Sequence, residues 1–148
     1  MLKDKEIFSY NLGDLYRRKG DVPKMIDNYL NSLGQNPGRL TSMKTLFQRN
    51  LTEEGYEELQ AQLYERVQGD ADATYYAELL SWLFIQQKDY IAAFRQEKAL
   101  DRRLRENGAR VYNLARIAYN DKDYESAITA YNYIVEEKGE SSSFYIEA

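Results

Sequence analysis

A chain of 148 residues suffices for one domain, and with 43% hydrophobic and 30% charged residues it is a globular rather than a disordered sequence. It has no cysteine, which excludes disulfides and thiolate metal sites, and no histidine, the commonest general base and zinc ligand. A formal charge of −4 leaves no basic footprint for nucleic acid. No stretch approaches the roughly 18 apolar residues that membrane insertion requires.

Residues 1–6 lead straight into a polar helix pattern, with no secretory signal. This leaves the compartment open. The first helix carries Leu12, Gly13, Asp14, Leu15 and Tyr16, and ends at the polar turn Lys19-Gly20-Asp21. A second apolar face follows through Val22, Met25 and Tyr29. The next pair is the least regular. It keeps Leu46, Tyr56, Leu59 and Leu63 in phase, but sets Asn50 and Arg66 where other units are apolar, so a distorted or shifted packing is expected there. Glu53, Glu54, Glu57 and Glu58 read as an acidic first turn capped by Thr52, in preference to a cation site. Residues 75–85 are apolar on nearly all sides and end at Gln87-Lys88-Asp89. Arg102, Arg103, Arg105 and Arg110 read as cations favoured at a helix C-terminus rather than as an anion site. In the last pair, Val111, Leu114, Ala115 and Ala118 recur at i, i+3, i+4 and i+7. The turn Asp121-Lys122-Asp123 follows, then Tyr124, Ala127, Ile128, Tyr131 and Ile134. This turn alternates acids as a calcium loop does, but lacks the central glycine and the distal glutamate.

These elements repeat every 34 residues. Leu12, Leu46, Leu80 and Leu114 form one column. Asp21, Gly55, Asp89 and Asp123 form a second, and Met25, Leu59, Ala93 and Ala127 a third. Four units cover 6–39, 40–73 (degenerate), 74–107 and 108–141. Ser141, Ser142 and Ser143 then cap the start of a truncated fifth unit at 142–148, with Phe144, Tyr145 and Ile146. Each unit reads as two short amphipathic helices joined by a tight turn, an antiparallel hairpin that must stack on neighbours to bury its apolar stripe. Gly13, Ser81 and Ala115 share the column where helices approach closely, and Phe47 breaks it. Tyr16, Tyr29, Phe84, Tyr90, Tyr124 and Tyr131 are expected in the core.

The columns resemble the tetratricopeptide repeat family, whose pattern is W-x2-L-G-x2-Y, then A-x3-F, then P. Unit 1 matches through Ser9, Leu12, Gly13, Tyr16, Met25, Tyr29 and Pro37. Unit 4 matches through Val111, Leu114, Ala115, Ala118, Ala127 and Tyr131. Unit 3 matches through Ala77, Leu80, Ser81, Phe84 and Ala93, with Glu97 in place of the aromatic. Units 3 and 4 also look like tetratricopeptide proteins of Bacteroidetes-type bacteria. The resemblance covers the whole chain and implies an all-α fold, a right-handed superhelical solenoid of antiparallel helix hairpins. An array that stops within a helix is expected to be a piece of a larger protein.

What the resemblance implies for function is a protein-binding scaffold or adaptor, not an enzyme, with no cofactor and no metal. The binding surface is a concave groove lined by the first helix of each unit. By position these are Tyr10, Asp14 and Arg17, with Arg18 beside them; Lys44 and Gln48; Tyr75, Glu78 and Trp82, with Gln86; and Tyr112, Arg116, Tyr119 and Asn120. Tyrosine, tryptophan and arginine are the side chains enriched at binding hot spots. Trp82 serves equally well as core between units 2 and 3, whereas Tyr10 and Tyr112 lie off the apolar stripes of their own hairpins. Some members of the family clamp a terminal carboxylate with lysine, asparagine and arginine. Here Tyr10 and Asp14 stand at two of those positions, which argues against that ligand. Two other roles fit the sequence less well: a sensory or regulatory segment of a larger signalling protein, and an enzyme using only carboxylates and arginine. A homo-dimer through exposed array ends is a further expectation.

Overall fold

Three short local rules build the hairpins. In the computed structural model, which describes residues 2–138, the elements are α1 (Leu2–Lys19), α2 (Val22–Gln35), a 3-10 turn (Pro37–Arg39), α3 (Leu40–Asn50), α4 (Glu53–Gly69), α5 (Thr74–Gln86), α6 (Tyr90–Arg103), α7 (Ala109–Asn120), α8 (Tyr124–Tyr133) and a π-helical turn (Ile134–Lys138). The described residues contain no strand, so the fold is all-α.

α1, α5 and α7 end alike. Gly20, Lys88 and Lys122, in one 34-residue column, take the left-handed conformation at φ of 78°, 60° and 66°. The next residue's N–H then reaches back to a carbonyl five residues earlier: Asp21 to Tyr16 at 3.0 Å, Asp89 to Phe84 at 2.9 Å, and Asp123 to Ala118 at 2.9 Å. This closure satisfies carbonyls that a helix end leaves open. The same aspartates cap the following helices, accepting from the backbone N–H of Lys24, Ala92 and Ser126, each at 3.2 Å. One residue thus ends one helix and starts the next, which keeps the connections to two or three residues. A lysine with positive φ carries strain that glycine escapes. Lys122→Gly is therefore expected to stabilise the protein by about 0.5–1 kcal/mol, read as a raised urea midpoint with an unchanged slope. A lowered midpoint would remove the strain argument.

The second pair departs from this pattern. Its turn falls at Leu51-Thr52, three residues before the place the period gives it, and Thr52 caps α4 by accepting from the Gly55 N–H at 3.4 Å. Gly55 lies inside α4. The expected cap is in place, and the expected shift in packing takes the form of a shorter α3. Arg66, polar where other units are apolar, is half-buried and well partnered. Its guanidinium donates to the Tyr76 hydroxyl at 2.9 Å, to Asp27 at 2.7 Å and to Asn31 at 2.9 Å. Tyr76 in turn donates to the Leu30 carbonyl at 2.9 Å. The degenerate pair is thus fastened by a polar clamp where its apolar pattern fails.

The chain forms two compact units, Met1–Leu79 and Leu80–Ala148, and the division falls within α5. In the first, α1 packs on α2 and α2 on α4, around Tyr29, Leu30, Leu33, Phe47, Leu59 and Leu63, all fully buried. Gly13 is the point of closest approach: a Cβ there would lie 2.5 Å from Tyr29 Cδ1. In the second, α6 packs on α7 and α7 on α8 around Leu83, Phe84, Ala93, Val111, Ala115 and Ile134. Ser81 and Ala115, in the Gly13 column, are both buried.

Tyr29, Phe84 and Tyr90 are core as expected, while Tyr16 and Tyr131 are half-buried. Tyr124 is a correction: it is exposed. Tyr90, its counterpart one period earlier, is covered and donates to Asp121 at 2.9 Å, but no described element covers Tyr124, whose ring lies 5.7 Å from that of Tyr119. Ile128 and Leu12, each on an expected apolar face, are exposed for the same reason. The expected fifth unit lies outside the described residues.

Candidate functional site

Packing Met43 and Phe47 into the core against Tyr29 leaves one side of α3 facing α1 across an open cleft. The cleft measures about 390 Å³ and is lined by Tyr10, Asp14 and Arg17 of α1 and by Ser42, Thr45, Leu46, Arg49 and Asn50 of α3. A small recess of about 40 Å³ extends it toward Arg39 and Met43.

Several lining groups are held in place. The Tyr29 hydroxyl donates to Asp14 at 2.5 Å, and Arg17 lies 3.8 Å from the same carboxylate. Burial, and then the bond to Asp14, push the Tyr29 phenol well above its ordinary range, so it stays protonated and keeps donating. Tyr10 packs on Tyr29 at 5.5 Å, and the Arg39 guanidinium lies over the Tyr10 ring, 5.2 Å from its centroid. Arg39 itself pairs with the buried Glu6. Asn50 donates to the Leu46 carbonyl at 2.8 Å. Arg49 differs from all of these: it is exposed and has no hydrogen-bond or ion-pair partner among the described residues. The lining therefore holds two guanidiniums against one carboxylate, and that carboxylate is already satisfied.

Of the residues expected in a groove, the fold brings Tyr10, Asp14 and Arg17 to this cleft. Lys44 and Gln48 do not line it. At 3.6 residues per turn they fall on another side of α3 from Leu46 and Arg49. Tyr75 is half-buried, its ring 4.6 Å from Tyr76, and its phenol is raised by burial. Glu78 and Trp82 are half-buried on α5. In the second unit, Arg116 and Asn120 line a shallow depression of about 290 Å³ with Asn113 and Ile117. Tyr112 packs on Tyr131 at 6.1 Å, with the Arg116 guanidinium 6.0 Å from its ring, and Tyr119 is exposed.

Sequence reasoning passed over Arg49. Its column otherwise reads Leu15, Leu83 and Ile117, so a lone arginine in an apolar column was the available signal.

Glu97, the departure from the expected aromatic, is explained by its partners. It accepts from Ser81 Oγ at 2.8 Å and pairs with Arg110 at 3.0 Å. Arg110 is held charged by Glu106 and then by Glu97. Among the described residues no group of three acidic, histidine or cysteine side chains is placed to hold a metal ion, and no helix is long and apolar enough to cross a membrane. No protein-family model matches the chain, and no curated protein matches it either.

Proposed function

We propose that this chain is a tetratricopeptide-like array, a solenoid of helix hairpins, and that it acts as a protein-binding scaffold whose α1–α3 cleft takes an acidic segment of a partner protein. The observation that carries this reading is the cleft itself. It is open and polar, of a size suited to one or two side chains, and it has at Arg49 a guanidinium without a partner among the described residues, beside a pre-bonded Asp14–Tyr29–Arg17 set. A carboxylate side chain entering there meets Arg49 without facing a bare Asp14, since Tyr29 and Arg17 already engage that acid. Planar arginine suits this role because its fork matches a carboxylate bidentately. Tyr10, and in the other unit Tyr112, Arg116, Tyr119 and Asn120, supply further contact area of the kind that binding surfaces favour. The absence of histidine and cysteine supports a binding role over catalysis. A place within a longer signalling protein is compatible with the same binding role.

The test is fluorescence anisotropy with matched extended peptides, one rich in glutamate and aspartate and one with the same residues replaced by glutamine and asparagine. The acidic peptide is expected to bind with micromolar affinity, more weakly as salt rises. Arg49→Glu is expected to weaken it at least about tenfold, through the lost pair and the added repulsion. Equal binding of both peptides, or an Arg49→Glu variant that binds as the parent does, would overturn the assignment of this cleft.

A further inference from the structure

The chain holds one Asn-Gly pair, Asn107-Gly108, in the loop between α6 and α7. In such a pair the side-chain amide and the next backbone nitrogen can react with each other. The Gly108 nitrogen gives up its proton and attacks Asn107 Cγ. The bond from Cγ to the side-chain nitrogen breaks, and ammonia leaves with that proton. The five-membered imide so formed takes up one water and opens at either carbonyl. One product is an aspartate, the other an isoaspartate whose main chain runs through the side chain. The net change is one water consumed and one ammonia released, with no other reactant. Glycine makes the step easiest, since no Cβ shields its nitrogen and its backbone turns freely.

The fold exposes the reacting amide and withholds the nucleophile. Asn107 is exposed, and its Oδ1 accepts from the Ala109 N–H at 3.2 Å. Gly108 is buried, and its N–H donates to one oxygen of the fully buried Asp101 carboxylate at 2.9 Å. The other oxygen accepts from the Tyr133 hydroxyl at 2.7 Å, which fixes the carboxylate in place. Asp101 grips the loop a second time through its main chain, where its carbonyl accepts from the Glu106 N–H at 2.9 Å. Turning the Gly108 nitrogen toward Asn107 Cγ therefore breaks a hydrogen bond to a buried carboxylate. Removing its proton in place would set a negative nitrogen 2.9 Å from a carboxylate oxygen, where like charges repel.

We infer that Asn107 is a site of self-modification gated by Asp101: closed while Asp101 holds the Gly108 N–H, and reactive once the 104–108 loop opens. A loop opens at a lower free energy than the whole unit unfolds, so the gate answers to local opening. The aspartate product keeps an acceptor for Ala109 beside the N-terminus of α7, where the helix dipole favours negative charge. The isoaspartate product lengthens the main chain by one methylene just before Gly108. That displaces the N–H from Asp101 and keeps the loop open. The modification is thus a one-way release of the α6–α7 connection.

The experiment follows the Asn107 peptide by mass spectrometry during incubation in mildly alkaline buffer, with the isoaspartate separated by chromatography. The parent, Asp101→Ala and Leu83→Ala are compared, each checked for helicity by circular dichroism, together with the parent unfolded in urea. The native parent is expected to react at least about a hundredfold more slowly than the unfolded one. Asp101→Ala in native buffer is expected to react at least about tenfold faster than the parent. Leu83→Ala weakens the core of the same unit but leaves the Asp101–Gly108 bond in place, so its rate is expected to stay close to the parent's. Equal rates in the native and unfolded parent would overturn the inference, and that comparison stands even if Asp101→Ala does not fold. So would a Leu83→Ala rate as high as that of Asp101→Ala, because the gate would then be unfolding of the unit and not the hold of Asp101 on Gly108.

Discussion

Replacing Tyr29 with alanine is expected to cost about 4 kcal/mol, the size seen when a large buried aromatic is truncated. Tyr29 is fully buried, packs on Tyr10 and Phe47, and fills the space that Gly13 leaves open. It is therefore the side chain on which the α1–α2 hairpin closes. Tyr29→Phe keeps the ring and removes only the hydroxyl bond to Asp14, so it is expected to cost about 1–2 kcal/mol. Asp14 then keeps Arg17 and solvent as partners, which holds the loss at that level. The difference between the two variants separates packing from hydrogen bonding. Urea unfolding followed by far-ultraviolet circular dichroism gives both numbers. An alanine variant within about 1 kcal/mol of the parent would mean that the hairpin does not close on this ring.

The second large effect is expected at Asp101. This carboxylate is fully buried, and it accepts from the Gly108 N–H at 2.9 Å and from the Tyr133 hydroxyl at 2.7 Å. It ties the loop after α6, where Gly108 holds φ of 93° at the start of α7, to the far helix α8. Asp101→Ala leaves two buried donors without their acceptor, at an expected cost of about 3 kcal/mol. Tyr133→Phe removes the hydroxyl's bond to Asp101 and is expected to cost about 1.5–2 kcal/mol, since its partner is a charged acceptor. The double variant is expected to cost less than the sum, because both changes remove the same bond. Strict additivity in that cycle would show that the pair is not coupled and that Asp101 serves the loop alone. The burial of Tyr133, with Asp101 beside it, raises its phenol well above the ordinary range, so the hydroxyl remains a donor at any pH where the fold is studied.

What the sequence determined by itself is the local part. The column of Gly20, Lys88 and Lys122, followed by Asp21, Asp89 and Asp123, sets a helix end and a helix start within two residues. That outcome depends only on backbone sterics and on a short side chain reaching a nearby N–H. Thr52 capping α4 and Gly13 yielding to a partner ring belong with them. The all-α class followed from the 3.6-residue spacing of apolar positions. The tertiary structure decided whatever depends on which neighbour covers a face. Tyr124 and Tyr90 share a column, yet among the described residues only Tyr90 has an element over it. Lys44 and Gln48 were placed by a fixed period, but the early turn at Leu51 and the burial of Met43 and Phe47 orient α3 so that Arg49 reaches the cleft instead. Glu97 and Arg66 look like faults in a one-dimensional pattern and become anchors once Ser81, Arg110, Asp27 and Tyr76 are brought beside them. The physical reason is the same in each case: a repeat's sequence encodes its own turns, whereas the worth of a side chain is set by a neighbour distant in sequence, which periodicity alone does not identify.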